Sequence, residues 1–184
     1  MIKDTQFTTE KLRGQSFTGE KFVSCKFSFQ NFRFTTFESC RFENCDFSNA
    51  LIQSTSFENC VFSESKLSWI NFKDTNLIKC SFQKSILEGC TFEKQKLSDS
   101  HFEECDLSGN YFIGCDLTHG NLINTNLTKT VFDRSKLAST NLLGSNLTGV
   151  LFQDCKIEKT KIDLNGFISF GLSKGFVLDA QNEG

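Results

Sequence analysis

The sequence lacks the features of several large classes of protein. No apolar run approaches the roughly 18 residues that a membrane-spanning helix needs. The formal net charge is -2 at pH 7, so there is no excess of basic side chains of the kind that nucleic-acid-binding proteins carry. Proline is absent, and methionine and tryptophan each occur once, whereas phenylalanine occurs 22 times. Such a skewed composition is typical of a repeated sequence.

The N-terminal segment gives no sign of export. Residues 1–6 contain no apolar stretch of the kind found in secretory signal peptides. We therefore expect a cytoplasmic protein of a bacterium, or one from an equivalent reducing compartment. We also expect residues 1–6 to form a polar lead-in to the structured part of the chain.

Catalytic motifs are also missing. The sequence has no glycine-rich phosphate loop, no HExxH and no GxSxG. Its only histidines are His101 and His119. A metal site or enzyme built on these two residues is one alternative, and two solvated histidines are the simpler interpretation. The sequence therefore predicts a protein that is not an enzyme, with no catalytic residues, no cofactor and no metal.

A five-residue repeat occupies most of the chain. From Phe7 to Ile162, every fifth residue is apolar, and these 32 positions hold 17 Phe, 12 Leu and 3 Ile. Neither an α-helix nor a β-strand repeats with a period of five. One large and one small inward side chain in every five residues predict a short extended segment followed by a turn. Repeated, this unit predicts a solenoid with flat faces.

The cysteines follow the same register. No CxxC occurs, and other residues at the same phase are mostly small, which suggests a position that selects small, buriable side chains. Cys40, Cys60 and Cys80 would form one column whose neighbours lie about 4.8 Å apart, but parallel side chains on a regular ladder lack disulfide geometry. We predict free, buried thiols, with a metal cluster as the alternative, at Cys25, Cys40, Cys45, Cys60, Cys80, Cys90, Cys105, Cys115 and Cys155.

The repeat resembles a known family. Residues 105–109 (CDLSG) and 145–149 (SNLTG) have a central Leu, a small residue two positions before it, and Asp or Asn one position before it. This pattern resembles the pentapeptide-repeat family over residues 5–163. The resemblance implies an all-β fold, a right-handed quadrilateral parallel β-helix of about eight coils, which we assign to residues 1–163.

The register ends at Ile162, and a different pattern follows. Residues 165–173 predict a short helix that ends at Gly175, and residues 176–178 predict a short apolar strand. We expect Phe167, Phe170 and Leu172 to cover the open end of the solenoid. Residues 164–178 are thus predicted to form a C-terminal cap, and residues 179–184 a disordered tail.

The C-terminal arrangement resembles one group within the family. The pair Ile162–Asp163, a helix, and then Gly175 with an apolar segment are similar to the Qnr and MfpA proteins, and the unbroken register is closest to the loopless MfpA type. This resemblance implies a DNA-mimicking protein that binds DNA gyrase or topoisomerase IV and counters quinolones or related toxins, without contacting nucleic acid or membrane directly. It also implies a homodimer formed through the cap residues Phe167, Phe170, Leu172, Phe176 and Leu178.

Two surfaces are candidates for binding a partner. Aligning the sequence in steps of 20 places six acidic residues along one edge, interrupted by Lys66 and Lys84. We call this the acidic edge and expect it to contact gyrase, although an ordinary solvated face is the alternative: Glu43, Asp46, Glu64, Glu103, Glu104 and Asp106. Outward apolar residues form a second candidate, the apolar stripe, which predicts instead a rigid scaffold for another protein–protein interaction: Tyr111, Ile113, Val131 and Leu151.

Overall fold

Residues twenty positions apart in the sequence are neighbours in space. In the computed structural model, which describes residues 1–178, Phe42 pairs with Phe22 on one side and with Phe62 on the other, always in parallel register. Four five-residue repeats therefore make one turn with four faces. The result is a parallel β-solenoid of about eight turns, as predicted. Each face is a column of repeats whose central residues lie 20 positions apart. We number the faces by the first central residue in each column: Phe7 for the first face, Leu12 for the second, Phe17 for the third and Phe22 for the fourth.

Short strands form three parallel sheets on these faces. Isolated bridges continue the ladders between and beyond the sheets. The fourth face carries β1 (Ile2–Lys3), β3 (Lys21–Val23), β5 (Arg41–Glu43), β7 (Val61–Ser63) and β9 (Ser81–Gln83). The third face carries β2 (Ser16–Thr18), β4 (Thr36–Glu38), β6 (Ser56–Glu58) and β8 (Asn76–Ile78). In later turns the second face carries β10 (Thr91–Glu93), β11 (Tyr111–Ile113), β12 (Val131–Asp133) and β13 (Leu151–Gln153).

The N-terminal end differs from the prediction. Ile2 lies opposite Phe22, so the register begins one repeat before Phe7 and residues 1–6 are more than a polar lead-in. A short helix, α1 (Thr9–Leu12), replaces one repeat in the first turn. Glu10 and Gln15 are exposed where later turns bury small side chains. They can remain in solvent because the first turn has a neighbouring turn on one side only.

The core consists of stacked phenylalanine rings. On the second face, the ring centroid of Phe112 lies 4.7 Å from that of Phe92 and 5.0 Å from that of Phe132, and the rings are nearly parallel. Rings on adjacent faces meet edge to face, as Phe42 and Phe47 do at 5.1 Å and 83°. Both arrangements suit the charge distribution of aromatic rings, so the core is filled by ladders, as the repeat predicts.

A left-handed corner residue ends each side of a turn. The corner residues have positive φ, including bulky side chains such as Phe29 (φ 61°) and Trp69 (φ 62°). Residues other than glycine, asparagine and aspartate rarely adopt this conformation. The repeating geometry imposes it here regardless of local preference. As a result, the side chains of Phe29 and Trp69 point into solvent.

The small inward position supplies hydrogen bonds as well as space. The hydroxyl of Thr55 donates to the carbonyl of Phe32 at 2.8 Å, and the thiol of Cys115 donates to the carbonyl of Phe92 at 3.3 Å. In both cases the acceptor lies 23 residues earlier, at the centre of a repeat in the preceding turn. Buried carbonyls need such partners. This requirement explains why Ser, Thr and Cys, rather than Ala, fill a position that the sequence analysis ascribed to size alone.

The predicted C-terminal helix is confirmed as α2 (Leu164–Ser173). Asp163 is its N-cap: Oδ1 accepts a hydrogen bond from the Gly166 N–H at 2.7 Å, and Oδ2 accepts one from the Gly144 N–H at 2.6 Å. After the helix, the N–H of Gly175 (φ 86°) donates to Leu172 and that of Phe176 donates to Gly171. This pair of bonds is a Schellman motif, so Gly175 stops the helix as predicted.

Two other predictions for the cap are wrong. Residues 176–178 form no strand within the described part of the chain, because no neighbouring backbone pairs with them. Of the three side chains expected to cover the open end, Phe170 does so, with its ring centroid 5.7 Å from that of Phe152. Phe167 and Leu172 are instead 62% and 51% exposed. The predicted disordered tail, residues 179–184, lies outside the described residues.

Candidate functional site

The acidic edge lies at the corner where the fourth face turns into the first. Glu43 ends β5, Asp46 follows at the same corner of that turn, and the other four residues lie at this corner in later turns. The structure divides them into two groups: Glu43, Asp46 and Glu64 in two successive turns, and Glu103, Glu104 and Asp106 together in one later turn. The turn between the groups presents Lys84. All six predicted residues therefore share one edge, as two clusters.

Neighbouring side chains compensate part of this charge. Lys21 lies 2.8 Å from Glu43, and Lys84 lies 3.9 Å from Glu104. Glu103 Oε1 accepts a hydrogen bond from the Asn121 amide at 2.7 Å and lies 2.9 Å from His101 Nδ1. These pairs are at the surface, where ion pairs contribute little to stability. Their main effect is to hold the carboxylates in fixed positions along the corner.

The remaining charge on the edge is dense. Glu43 and Glu103 occupy equivalent positions three turns apart, which corresponds to roughly 14 Å at the usual strand spacing. Over that length, six carboxylates, the two lysines Lys66 and Lys84 and the paired Lys21 leave three net negative charges. One strand of B-form DNA presents about four phosphates over the same length. The edge therefore approaches the linear charge density of one DNA strand, although the whole chain has a net charge of only -2.

The five predicted dimer residues come together at the C-terminal end. Phe167, Phe170, Leu172, Phe176 and Leu178 line an apolar depression of about 530 Å³. Val177 also lines it and is almost fully exposed. Val177 was not predicted here, although Phe176 and Leu178 of the same segment were. An exposed apolar surface of this kind marks a site of contact with another molecule. We call it the C-terminal patch.

The apolar stripe also forms one continuous surface. Tyr111, Val131 and Leu151 are direct neighbours in the parallel register of β11, β12 and β13, and Ile113 lies on the same strand as Tyr111. Tyr111 and Leu151 are exposed, and the other two are half-buried. The stripe follows the long axis of the solenoid over three turns, which suits an elongated partner.

A groove near Trp69 was not predicted. The Trp69 ring lies across Gly89, where any side chain would collide with it. The next residue in this corner column, Gly109, also has no side chain, and Lys129 borders the far side of a groove of about 340 Å³. Two glycines in the corner column that holds Trp69 were the signal in the sequence that could have revealed it.

The two histidines do not form a metal site with other residues. His101 faces Glu103, and His119 is a left-handed corner residue. Within residues 1–178, no group of three or more His, Cys, Asp or Glu side chains is arranged to hold a metal ion. No helix in that part of the chain is long and apolar enough to cross a membrane.

The nine cysteines are free thiols in the structure. All are buried except Cys155 in the last turn, which is half-buried. Burial raises the pKa of Cys105 to about 12 and that of Cys115 to about 11. Thiols with such pKa values remain protonated at neutral pH and react slowly.

Family models identify the repeat directly. A model described as "Pentapeptide repeat region" matches residues 85–162, and one described as "Pentapeptide repeats (8 copies)" matches residues 40–77 and 55–93. The matches together cover residues 40–162, about two thirds of the chain. Among curated protein sequences, no match is found.

Several solved structures are similar to this chain at low sequence identity. QnrB1, a plasmid-mediated fluoroquinolone resistance protein, is 15% identical over 97% of both chains, with a TM-score of 0.42. HetL, a pentapeptide repeat protein involved in heterocyst differentiation regulation in the cyanobacterium Nostoc, is 15% identical over 87% of this chain and 86% of its own, with a TM-score of 0.32. Rfr23 from the cyanobacterium Cyanothece is 27% identical over 56% of this chain and 64% of its own, with a TM-score of 0.32. None of these similarities transfers an activity to this chain.

Proposed function

Because the chain belongs to the pentapeptide-repeat proteins, we propose that it is a non-enzymatic DNA mimic of the bacterial cytoplasm. In this proposal it binds DNA gyrase, topoisomerase IV or both, and modulates the enzyme or protects it from quinolones or related toxins. The proposal also rests on the resemblance of residues 162–178 to the C-terminal arrangement of the Qnr and MfpA proteins.

The acidic edge carries the proposal. Enzymes that hold duplex DNA bind its phosphates with basic grooves, and charge complementarity of this kind steers association and selects partners. The edge presents three net negative charges over roughly 14 Å, close to the linear density of one phosphate strand. A solenoid with stacked aromatic ladders holds these charges rigidly, so little conformational entropy is lost when the edge enters a groove.

The C-terminal patch supports a dimeric form of this mimic. A second copy would cover the exposed apolar side chains around the depression of about 530 Å³. A two-fold contact of this kind uses the same patch on both subunits. About eight turns at a spacing of ~4.8 Å give a rod of roughly 38 Å, and joining two rods end to end would place two copies of the acidic edge on one longer rod.

The direct test is a supercoiling assay of gyrase, titrated with this protein in the presence and absence of ciprofloxacin. We expect either inhibition or drug protection that saturates with protein concentration. The triple variant Glu103→Gln, Glu104→Gln, Asp106→Asn should weaken the effect. A matched control, Glu38→Gln, Glu58→Gln, Glu158→Gln, removes three charges from the third face and should act like the wild type. No effect of saturating wild-type protein on gyrase or topoisomerase IV would refute the proposal.

A second candidate function is favoured by the apolar stripe. The register of β11 to β13 places Tyr111, Val131 and Leu151 in one line, which suits a scaffold that binds a different protein. In that case a pull-down would recover a partner other than a topoisomerase. Its capture should be lost with Tyr111→Ser or Ile113→Ser and retained with the acidic-edge triple variant, which separates the two candidates.

A further inference from the structure

The hydrogen-bond ladder is interrupted on the third face. Elsewhere on this face, the Asn59 N–H donates to the Ile78 carbonyl at 2.8 Å and the Leu97 N–H donates to the Asp116 carbonyl at 2.7 Å. Within residues 1–178, the equivalent N–H groups of Leu77 and Lys79 have no carbonyl partner in the next turn, and no strand pairs with β8 on that side. Residues 74–80 of one turn are therefore separated from residues 93–101 of the next turn.

Intact bonds limit the interruption on both sides. The Phe72 N–H donates to the Thr91 carbonyl at 2.8 Å, and the Phe82 N–H donates to the His101 carbonyl at 2.8 Å. Between these bonds the two turns diverge and leave a cleft of about 580 Å³. Its lining is more basic than acidic: Leu77, Ile78, Lys79, Lys96, Asp99 and His101.

Gln95 accounts for the interruption. It occupies the small inward position that Thr55, Thr75 and Cys115 fill in neighbouring turns. Its side-chain amide donates to the Phe72 carbonyl at 2.9 Å and to the Thr75 carbonyl at 3.1 Å. The Thr75 carbonyl is the group that the Lys96 N–H would need, by analogy with the bond from the Asn76 N–H to the Thr55 carbonyl. The longer side chain thus takes over a ladder acceptor and holds the turns apart.

The cleft opens onto the last of three stacked cysteines, Cys40, Cys60 and Cys80. Cys80 lines the cleft and is 5% exposed, whereas Cys60 directly beside it is fully buried. The two occupy equivalent positions in adjacent turns, because Val61 pairs with Ser81, and the Cys80 thiol donates to the Phe57 carbonyl at 3.4 Å. A spacing of about 4.8 Å between adjacent strands lies within the Cα range that disulfides span. Because parallel side chains on a regular ladder lack disulfide geometry, the bond requires the Cys80 side chain to rotate toward Cys60, and the cleft beside it leaves room for that rotation.

A second pair of stacked cysteines provides the comparison within the same molecule. Cys25 and Cys45 also occupy equivalent positions in adjacent turns, because Lys26 pairs with Asp46. They lie beneath an intact ladder, in which the Asp46 N–H donates to the Cys25 carbonyl at 3.0 Å. Both are fully buried. The two pairs therefore differ in access from solvent rather than in stacking.

We propose that Cys60 and Cys80 form a redox-active dithiol that small hydroperoxides reach through the cleft. The Cys80 sulfur attacks one oxygen of hydrogen peroxide, the O–O bond breaks, and Cys80 sulfenic acid and water are formed. The Cys60 thiol then attacks the Cys80 sulfur. The S–S bond forms, the S–O bond breaks, and a second water leaves with the Cys60 proton. Two electrons pass from the two sulfurs to the peroxide.

The test uses peroxide treatment, alkylation of the remaining thiols and peptide mapping by mass spectrometry. The protein carries Cys155→Ser, so that the half-buried thiol cannot compete. Trypsin releases Cys80 in residues 80–84, Cys25 in residues 22–26, and Cys60 together with Cys45 in residues 42–66. We expect residues 42–66 linked to residues 80–84 through Cys60, with the loss of two hydrogen atoms and with Cys45 alkylated, and residues 22–26 alkylated but not linked.

Two variants identify the cause. Gln95→Thr restores the side chain found in earlier turns, closes the cleft, and should slow disulfide formation at least about tenfold, because reaction then requires local opening of the ladder. Cys60→Ser should leave a Cys80 sulfenic acid that dimedone captures. Three results would overturn the proposal. They are equal oxidation of the Cys25–Cys45 pair in protein that keeps Gln95, an unchanged rate of disulfide formation in a folded Gln95→Thr protein, and protein that remains fully reduced after peroxide treatment.

Discussion

The hydroxyl of Ser135 satisfies two buried backbone groups. Its Oγ donates to the Phe112 carbonyl at 2.9 Å and accepts a hydrogen bond from the Cys115 N–H at 3.0 Å. In Ser135→Ala both groups lose their partner in a site that water does not reach. We expect the free energy of unfolding to fall by about 1–3 kcal/mol, measured by denaturant titration.

Threonine provides the control at this position. Thr35, Thr55 and Thr75 occupy the same column in earlier turns and donate equivalent bonds. Ser135→Thr keeps the hydroxyl and should therefore stay close to the wild type in the same titration. A Ser135→Ala protein as stable as Ser135→Thr would show that size, and not hydrogen bonding, selects the residue at this position.

The small inward position of the repeat also shows what the sequence pattern does not predict about a single residue. The period of five predicts which side chains point inward, because every turn repeats one backbone geometry. It does not predict what a side chain too large for its position will do. Gln95 fits by taking a ladder acceptor, and the resulting cleft depends on how two turns share hydrogen bonds, which a one-dimensional pattern does not contain.

Among the elements, α2 depends on the charge of Asp163. Hydrogen bonds from the Gly166 and Gly144 N–H groups lower the pKa of this carboxyl below its usual value. Its contribution is therefore fully present above the pKa of the unfolded chain and is lost as the pH falls through the lowered pKa of the folded state. We expect the amide resonances of α2 to show loosening of the helix at its N-terminus during an acid titration.

Asp163→Asn tests whether the carboxyl group is responsible. The amide oxygen can still cap the helix, but it does not titrate in the acid range. The helix of this variant should be less well anchored at neutral pH and should lose the acid transition. An acid transition of α2 that persists in Asp163→Asn would assign it to another group.

For the cap, the helix prediction is confirmed and the strand prediction is wrong, and this difference has a physical cause. The signals for α2 are local: Asp163 caps the N-terminus, and Gly175 adopts the left-handed conformation that ends the helix. The segment 176–178 is apolar throughout, as a buried strand can be, but a strand requires a partner, and within the described residues none is present. The same absence leaves Phe176 and Val177 exposed and creates most of the C-terminal patch.

At the scale of the whole molecule, the fold was predictable and the charge surface only in part. A strict repeat fixes which residues align from turn to turn, so the acidic edge and the apolar stripe could be placed from the sequence. The ion pairs of Glu43 with Lys21 and of Glu104 with Lys84 depend on side-chain conformations. The exposure of Phe167 depends on how α2 sits on the last turn.

The proposed end-to-end dimer predicts how single substitutions change the oligomeric state, which sedimentation or light scattering measures. Phe167 is exposed in the C-terminal patch, whereas Phe170 packs against Phe152. Phe167→Asp should therefore give a folded monomer, because a charge would be buried in the two-fold contact. Phe170→Asp should lose both the dimer and the packing of α2. Leu143→Asp changes a partly exposed apolar residue on the fourth face and should leave the dimer intact. If Phe167→Asp remained dimeric, the subunits would have to meet through another surface.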